Sequence, residues 1–170
     1  MDRLARRAGL TLVRTWAEME ALDPAGGLYA TEFHDFSSPS DGLFWKYRTI
    51  FVDRRPYRYH LAISDDWLVH YDTSGSRDHE ARLAEELRFL EAPEASLGPT
   101  AYAAIAKVGR RLDLDYAGIN FGILPDGRAV VFEANATMVV HPEAEGALVH
   151  KNPYVERITS AFQALIENAR

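Results

Sequence analysis

Tyr116-Ala-Gly-Ile-Asn120-Phe-Gly-Ile-Leu-Pro125-Asp126-Gly127-Arg128-Ala-Val-Val-Phe-Glu133-Ala-Asn135 is the stretch that decides how this chain folds. Two apolar runs flank Pro125-Asp126-Gly127. There proline presets its own dihedral and glycine accepts a positive one, so 116–124 and 128–135 read as the two strands of a hairpin. Asn120, Glu133 and Asn135 are the polar exceptions within those runs, and all three carry oxygen donors. Glu133 and Asn135 are two apart and therefore share a face. Val130, Val131 and Phe132 lead into Glu133 without a break. A lone carboxylate at the end of a stretch bound for burial is costly unless it is paired or bound to a cation. Magnesium takes such oxygen ligands, usually one or two carboxylates together with substrate phosphates. The plainer reading of Glu133-Ala-Asn135 is a strand end whose polar groups meet solvent or cap the following loop.

Register decides whether Asn120 joins them. If Asp126-Gly127 forms a two-residue loop, or 125–128 a four-residue one, Asn120 stands directly across from Glu133 and the three share a face. If Pro125-Asp126-Gly127 forms a three-residue loop with a bulge, the register slips by one and Asn120 points away. The residues alone leave both open.

Upstream, 10–14 and 28–36 are strand candidates, with a short helix over 15–22 between them that Asp23, Pro24 and two glycines stop. Runs 44–52 and 57–64 flank Asp53-Arg54-Arg55-Pro56 as a second hairpin, and Trp67–Tyr71 reads as one more strand. The period then changes. Leu83, Leu87 and Leu90, and next Ala101, Ile105, Val108 and Leu112, recur at helical spacing, which predicts amphipathic helices over 77–91 and 99–112. The acidic run from Asp78 to Glu86 reads as a solvated helix face. The last helix opens with Asn152 as cap and Pro153 at its first position, burying Val155, Ile158, Phe162, Leu165 and Ile166. Antiparallel sheet plus packed helices makes this an α+β chain, and 170 residues without repeat or long linker make one domain, 1–170.

Composition narrows the partners. Lys and Arg number 19 against 25 Asp and Glu, a net charge of -6, whereas a nucleic-acid footprint needs the opposite bias. No run approaches the roughly 18 apolar residues of a membrane span, and the N-terminus lacks the apolar segment of a signal peptide, so a soluble cytoplasmic protein is expected. The absence of cysteine excludes disulfides, thiolate zinc sites and a cysteine nucleophile. His60 and His70 read as structural strand histidines.

The segment from Tyr116 to Thr137 resembles the C-terminal magnesium motif of the ATP-grasp family, in which a strand bearing an aspartate turns at Asp-Gly and returns to end in Glu-x-Asn. Glu133 and Asn135 match, and Asn120 stands where the aspartate would be. The resemblance favours the register with Asn120 facing Glu133, and it implies that the three hold Mg2+ on the phosphates of ATP. Leu28–Asp35 looks like the family's hinge strand, which implies that Glu32 and Phe33 meet the nucleoside. Lys46-Tyr47-Arg48 looks like the next strand, which implies that both basic residues bind nucleotide and that Arg48 acts on the phosphates. His141 lies just past the motif, where a substrate contact is expected. The implied fold is the C-terminal half of an ATP-grasp fold, with a second copy or a partner protein supplying the N-terminal half. The implied activity is ligation, in which ATP activates a small-molecule carboxylate as an acyl phosphate. The neutral residue at 120 points instead to a non-catalytic nucleotide-binding or protein-interaction module.

Overall fold

A computed structural model of the chain describes residues 6–7, 10–23, 25, 27–71, 74–75 and 78–168. The chain divides into two units, residues 1–35 and 36–170. In the first, β1 (Arg6–Arg7) pairs antiparallel with β2 (Leu10–Thr11). Helix α1 (Trp16–Glu20) starts at a capping box: the Glu18 N–H donates to Thr15 Oγ1 at 3.2 Å, and the Thr15 N–H donates to Glu18 Oε2 at 3.2 Å. The strand expected over 28–36 does not form. That stretch is without regular secondary structure, and most of its side chains stand in solvent, Tyr29 at 94% exposure. Its apolar residues give it strand propensity, but propensity without a ladder partner makes no strand.

The second unit is built on a four-stranded antiparallel sheet in the order β4-β3-β5-β6, with β3 Phe44–Val52, β4 Arg55–Ser64, β5 Tyr116–Ile123 and β6 Ala129–Asn135. The turn between β3 and β4 is only Asp53-Arg54, both at positive φ (49° and 63°), the geometry that matches strand twist. Neither residue is glycine, and Arg54 offsets the strain by donating to Asp113 at 2.9 Å and Asp115 at 2.8 Å. On one face of the sheet, Tyr47, Phe51, Leu61, Ile63, Ile119 and Phe121 pack against α2 (Glu80–Glu91), α3 (Pro93–Leu97) and α4 (Pro99–Leu112). Ile50, Val52 and Tyr59 form a separate cluster with Met138 and with Val155 and Ile158 of α5 (Asn152–Asn168). A third cluster joins Phe36, Ala62 and Val69.

The antiparallel sheet, both hairpins and the three long helices agree with the sequence, and several details differ. Trp67–Tyr71 forms no strand: Trp67 and Leu68 are bends, the chain is irregular at Val69 and His70, and Val69 packs with Ala62 and Phe36. Helix α2 starts at Glu80 rather than at 77, and its acidic run is not wholly solvated: Glu86 is 1% exposed. Helix α3 was not expected; Pro93 at its start and Gly98 after it bound a turn too short for periodicity to show. Asn152 does not cap α5 but clamps Glu143, accepting from its N–H and donating to its carbonyl, both at 2.8 Å. Phe162 and Ile166 of α5 are 37% and 44% exposed instead of buried. Among the described residues, no helix is long and apolar enough to cross a membrane.

Candidate functional site

Register brings the site together. His60 of β4 pairs with Arg48 of β3, Arg48 with Asn120 of β5, and Asn120 with Glu133 of β6, so four residues form one row straight across the sheet. The three-residue loop forms: the Leu124 N–H donates to the Arg128 carbonyl at 2.8 Å, and Gly127 sits at φ 81°. By itself that loop would turn Asn120 away from Glu133. A bulge at Phe132 inserts one extra residue in β6 and restores the register, because Phe121 pairs with Val131 while Asn120 pairs with Glu133. A second bulge, at Tyr59 in β4, brings His60 opposite Arg48. Both irregularities flank the row, and bulges of this kind re-aim side chains next to sites.

The side chains of the row are hydrogen-bonded in sequence. Arg48 Nε donates to Asn120 Oδ1 at 2.8 Å, and Asn120 Nδ2 donates to Glu133 Oε2 at 2.8 Å. Asn135 Nδ2 lies 3.5 Å from Glu133 Oε1, while Asn135 Oδ1 accepts from the Thr137 N–H at 2.8 Å and Thr137 Oγ1 at 2.9 Å. These partners fix which end of each carboxamide is oxygen. Glu133 is exposed at the sheet edge and Asn120 is buried. Lys46, two residues before Arg48, donates its ammonium to the Val69 carbonyl. Burial, with Arg48 nearby, lowers the Lys46 pKa to about 8, and the opposing pull of Glu133 is weaker. His60 is 3% exposed, and its burial, reinforced by the charges of Arg48 and Lys151, drives its pKa well below the ordinary value. It is therefore neutral at pH 7, and its Nδ1 has no hydrogen-bond partner among the described residues.

The oxygen-bearing residues of the site are those a hard cation would draw on, although both carboxamide oxygens already accept hydrogen bonds, Asn120 Oδ1 from Arg48 and Asn135 Oδ1 from Thr137. The set offers one solvent-facing carboxylate, Glu133, with two carboxamides beside it, and a cation such as magnesium completes its shell from phosphates. Asn120 and Asn135 direct nitrogen rather than oxygen toward Glu133. Among the described residues no group of three or more His, Cys, Asp or Glu side chains comes together, so Glu133 would be the charged ligand.

The structure thus joins Lys46, Arg48, Asn120, Glu133 and Asn135. The His141 N–H donates to the Tyr59 hydroxyl at 3.3 Å, leaving its ring exposed 3.9 Å from Glu143. Glu32 and Phe33 belong to the first unit, in extended chain; Glu32 lies 4.0 Å from His34 and is 81% exposed. Two participants escape sequence reasoning, one of them read there only as a structural histidine. His60 enters the row only through the bulge, and Lys151, 1% exposed and bonded to Glu143 at 2.7 Å, is a charge where burial is least expected.

Against known proteins, the chain matches no family model, no curated sequence and no solved structure.

Proposed function

We propose that residues 36–170 hold the phosphates of ATP, with magnesium, over the row Arg48-Asn120-Glu133, as the nucleotide-binding part of an ATP-grasp type ligase in the cytoplasm. The observation that carries this reading is the row itself: a guanidinium, a carboxamide and a carboxylate linked at 2.8 Å steps, with Lys46 beside them. Lys46 donates to the Val69 carbonyl and Arg48 to the Asn120 carboxamide, so two cationic side chains stand in and beside the row, the charge a polyanion would meet. Glu133 and Asn135 would hold the metal, which offsets phosphate charge. Arg48 and Lys46 would orient the terminal phosphate for attack by a substrate carboxylate oxygen. The bond to ADP then breaks, an acyl phosphate forms, and an amine or thiol displaces the phosphate. His141 would face that substrate.

A calorimetric titration of the chain with a non-hydrolysable ATP analogue tests this. Binding is expected to need magnesium and to weaken at least about tenfold in Glu133→Ala, a loss of about 1.4 kcal/mol. It should also weaken as pH rises through about 8, where Lys46 gives up its proton. Absence of heat at millimolar nucleotide, or indifference to Glu133→Ala, defeats the reading.

One observation favours a non-catalytic module instead: the Asn120 amide closes Glu133 with its own hydrogens and needs no metal. Asn120→Asp separates the two. It sets a second carboxylate oxygen at the 2.8 Å position facing Glu133. The expected result is a lower melting temperature without magnesium and its recovery when magnesium is added, because the ion relieves the repulsion. A module without a metal site shows the drop and no recovery.

A further inference from the structure

We propose that His150 and Glu86 form a proton-operated latch fastening residues 143–152, which follow the site, onto α2 and the sheet edge. His150 sits in the 3-10 turn Val149–Lys151. Its Nδ1 lies 2.8 Å from the Ala147 carbonyl, which can only accept, so Nδ1 carries a hydrogen. Its Nε2 lies 3.1 Å from Glu86 Oε2, the two side chains being 21% and 1% exposed. Neither of those atoms has a hydrogen-bond partner among the described residues. A neutral ring with its hydrogen on Nδ1 would set two lone pairs against each other in a place shielded from water. One further proton, on Nε2, satisfies both atoms.

The other oxygen of Glu86 is already occupied, by the Leu61 N–H at 3.1 Å and the Tyr71 hydroxyl at 3.0 Å. The next residue after His150 ties the latch to the loop. Lys151 donates to Glu143 at 2.7 Å, with its ammonium 4.6 Å from the Tyr71 ring centre and 5.1 Å from that of Tyr59. Tyr59 in turn accepts the backbone N–H of His141. The charged groups acting on the imidazole are Glu86 from α2, which favours its proton, and Lys151 of its own turn, which opposes it. Glu143 answers Lys151, and His60 of β4, its ring centre 4.0 Å from that of Tyr71, is neutral.

The bond to Glu86, more than any other influence, raises the His150 pKa above its ordinary value. A raised histidine contributes stability that is complete below the unfolded value, about 6.5, and lost as pH rises through the folded one. The latch is therefore closed in mild acid and opens as pH rises above the ordinary histidine range. It stands independently of the nucleotide reading.

The test is a titration of the intact chain from about pH 5.5 to 9, following the imidazole 15N shifts of His150 and the hydrogen exchange of amides 143–151. Both ring nitrogens should be protonated at about pH 6.5. One proton should leave above that, and exchange, corrected for its intrinsic pH dependence, should accelerate at least about tenfold through the same midpoint. In His150→Gln the step should vanish and exchange should stay at the open level. An unprotonated Nε2 at about pH 6.5, or amide protection that ignores the midpoint, overturns the latch. Should the variant fail to fold, the shifts and exchange of the unaltered chain decide the matter.

Discussion

Replacing Glu86 with alanine is expected to remove about 3–5 kcal/mol of stability, on the order of 10 °C in melting temperature. The carboxylate is 1% exposed and serves three groups at once. It accepts from the Leu61 N–H, a donor of the outer strand β4 covered by α2, from the Tyr71 hydroxyl, and it faces His150 at 3.1 Å. Alanine strands a buried backbone donor and the half-buried Tyr71 hydroxyl; a buried group left unpaired costs roughly 1–3 kcal/mol. It also leaves the charges of His150 and Lys151 with one carboxylate fewer nearby. Glu86→Gln keeps an acceptor for Leu61 but presents an amide where His150 needs an oxygen, so its loss should be intermediate. Urea unfolding at about pH 6.5, where His150 is charged, measures both variants. A loss for Glu86→Ala under about 1 kcal/mol would mean that water reaches these groups and that the buried network is not what holds α2 to β4.

That network marks where the sequence stopped being legible. Periodicity reads a helix from the spacing of Leu83, Leu87 and Leu90, but it assigns every glutamate between them to solvent, because nothing local tells Glu86 from Glu85. What distinguishes Glu86 is an uncovered strand donor 25 residues earlier in the chain. The β5-β6 hairpin was legible in a different way. Pro125-Asp126-Gly127 announced a turn but left its length open, and Glu133 and Asn135 announced a polar strand end; the loop that forms has three residues. The loop taken alone puts Asn120 on the wrong face. The correction lies in the bulge at Phe132, which has no compositional mark, since phenylalanine is an ordinary strand residue. The same holds at Tyr59, where an unbulged hairpin would set Tyr59, not His60, against Arg48. Leu28–Phe36 and Trp67–Tyr71 erred in the opposite direction. Both have strand-like residues, and neither has a neighbouring strand to complete.

Gly109→Ala separates helix propensity from packing by the sign of its effect. At an unhindered helix interior the change gains about 1 kcal/mol. Here it should cost about 3 kcal/mol, or roughly 6–12 °C in melting temperature. A Cβ at 109 would lie 2.4 Å from the Arg54 carbonyl oxygen and 2.5 Å from Phe51 Cδ1. Neither neighbour can give way. The carbonyl belongs to the two-residue turn held by Arg54 to Asp113 and Asp115, and by the Asp53 N–H donating to the Asp115 carbonyl at 2.9 Å. The Phe51 ring, 1% exposed, is wedged in the larger core. Asp113, the residue that ends α4 at φ 50°, is one of the Arg54 partners, so pushing helix from turn also strains the ion pairs. Gly118→Ala is the control, because its closest contact, 2.4 Å, is the thioether sulfur of Met138, the flexible part of a side chain. It should cost distinctly less. Thermal unfolding of the two variants side by side is decisive: a Gly109→Ala protein as stable as the parent would show that α4 and the β3-β4 turn do not meet this closely, and the anchoring of the sheet that carries the Arg48 row would need another account.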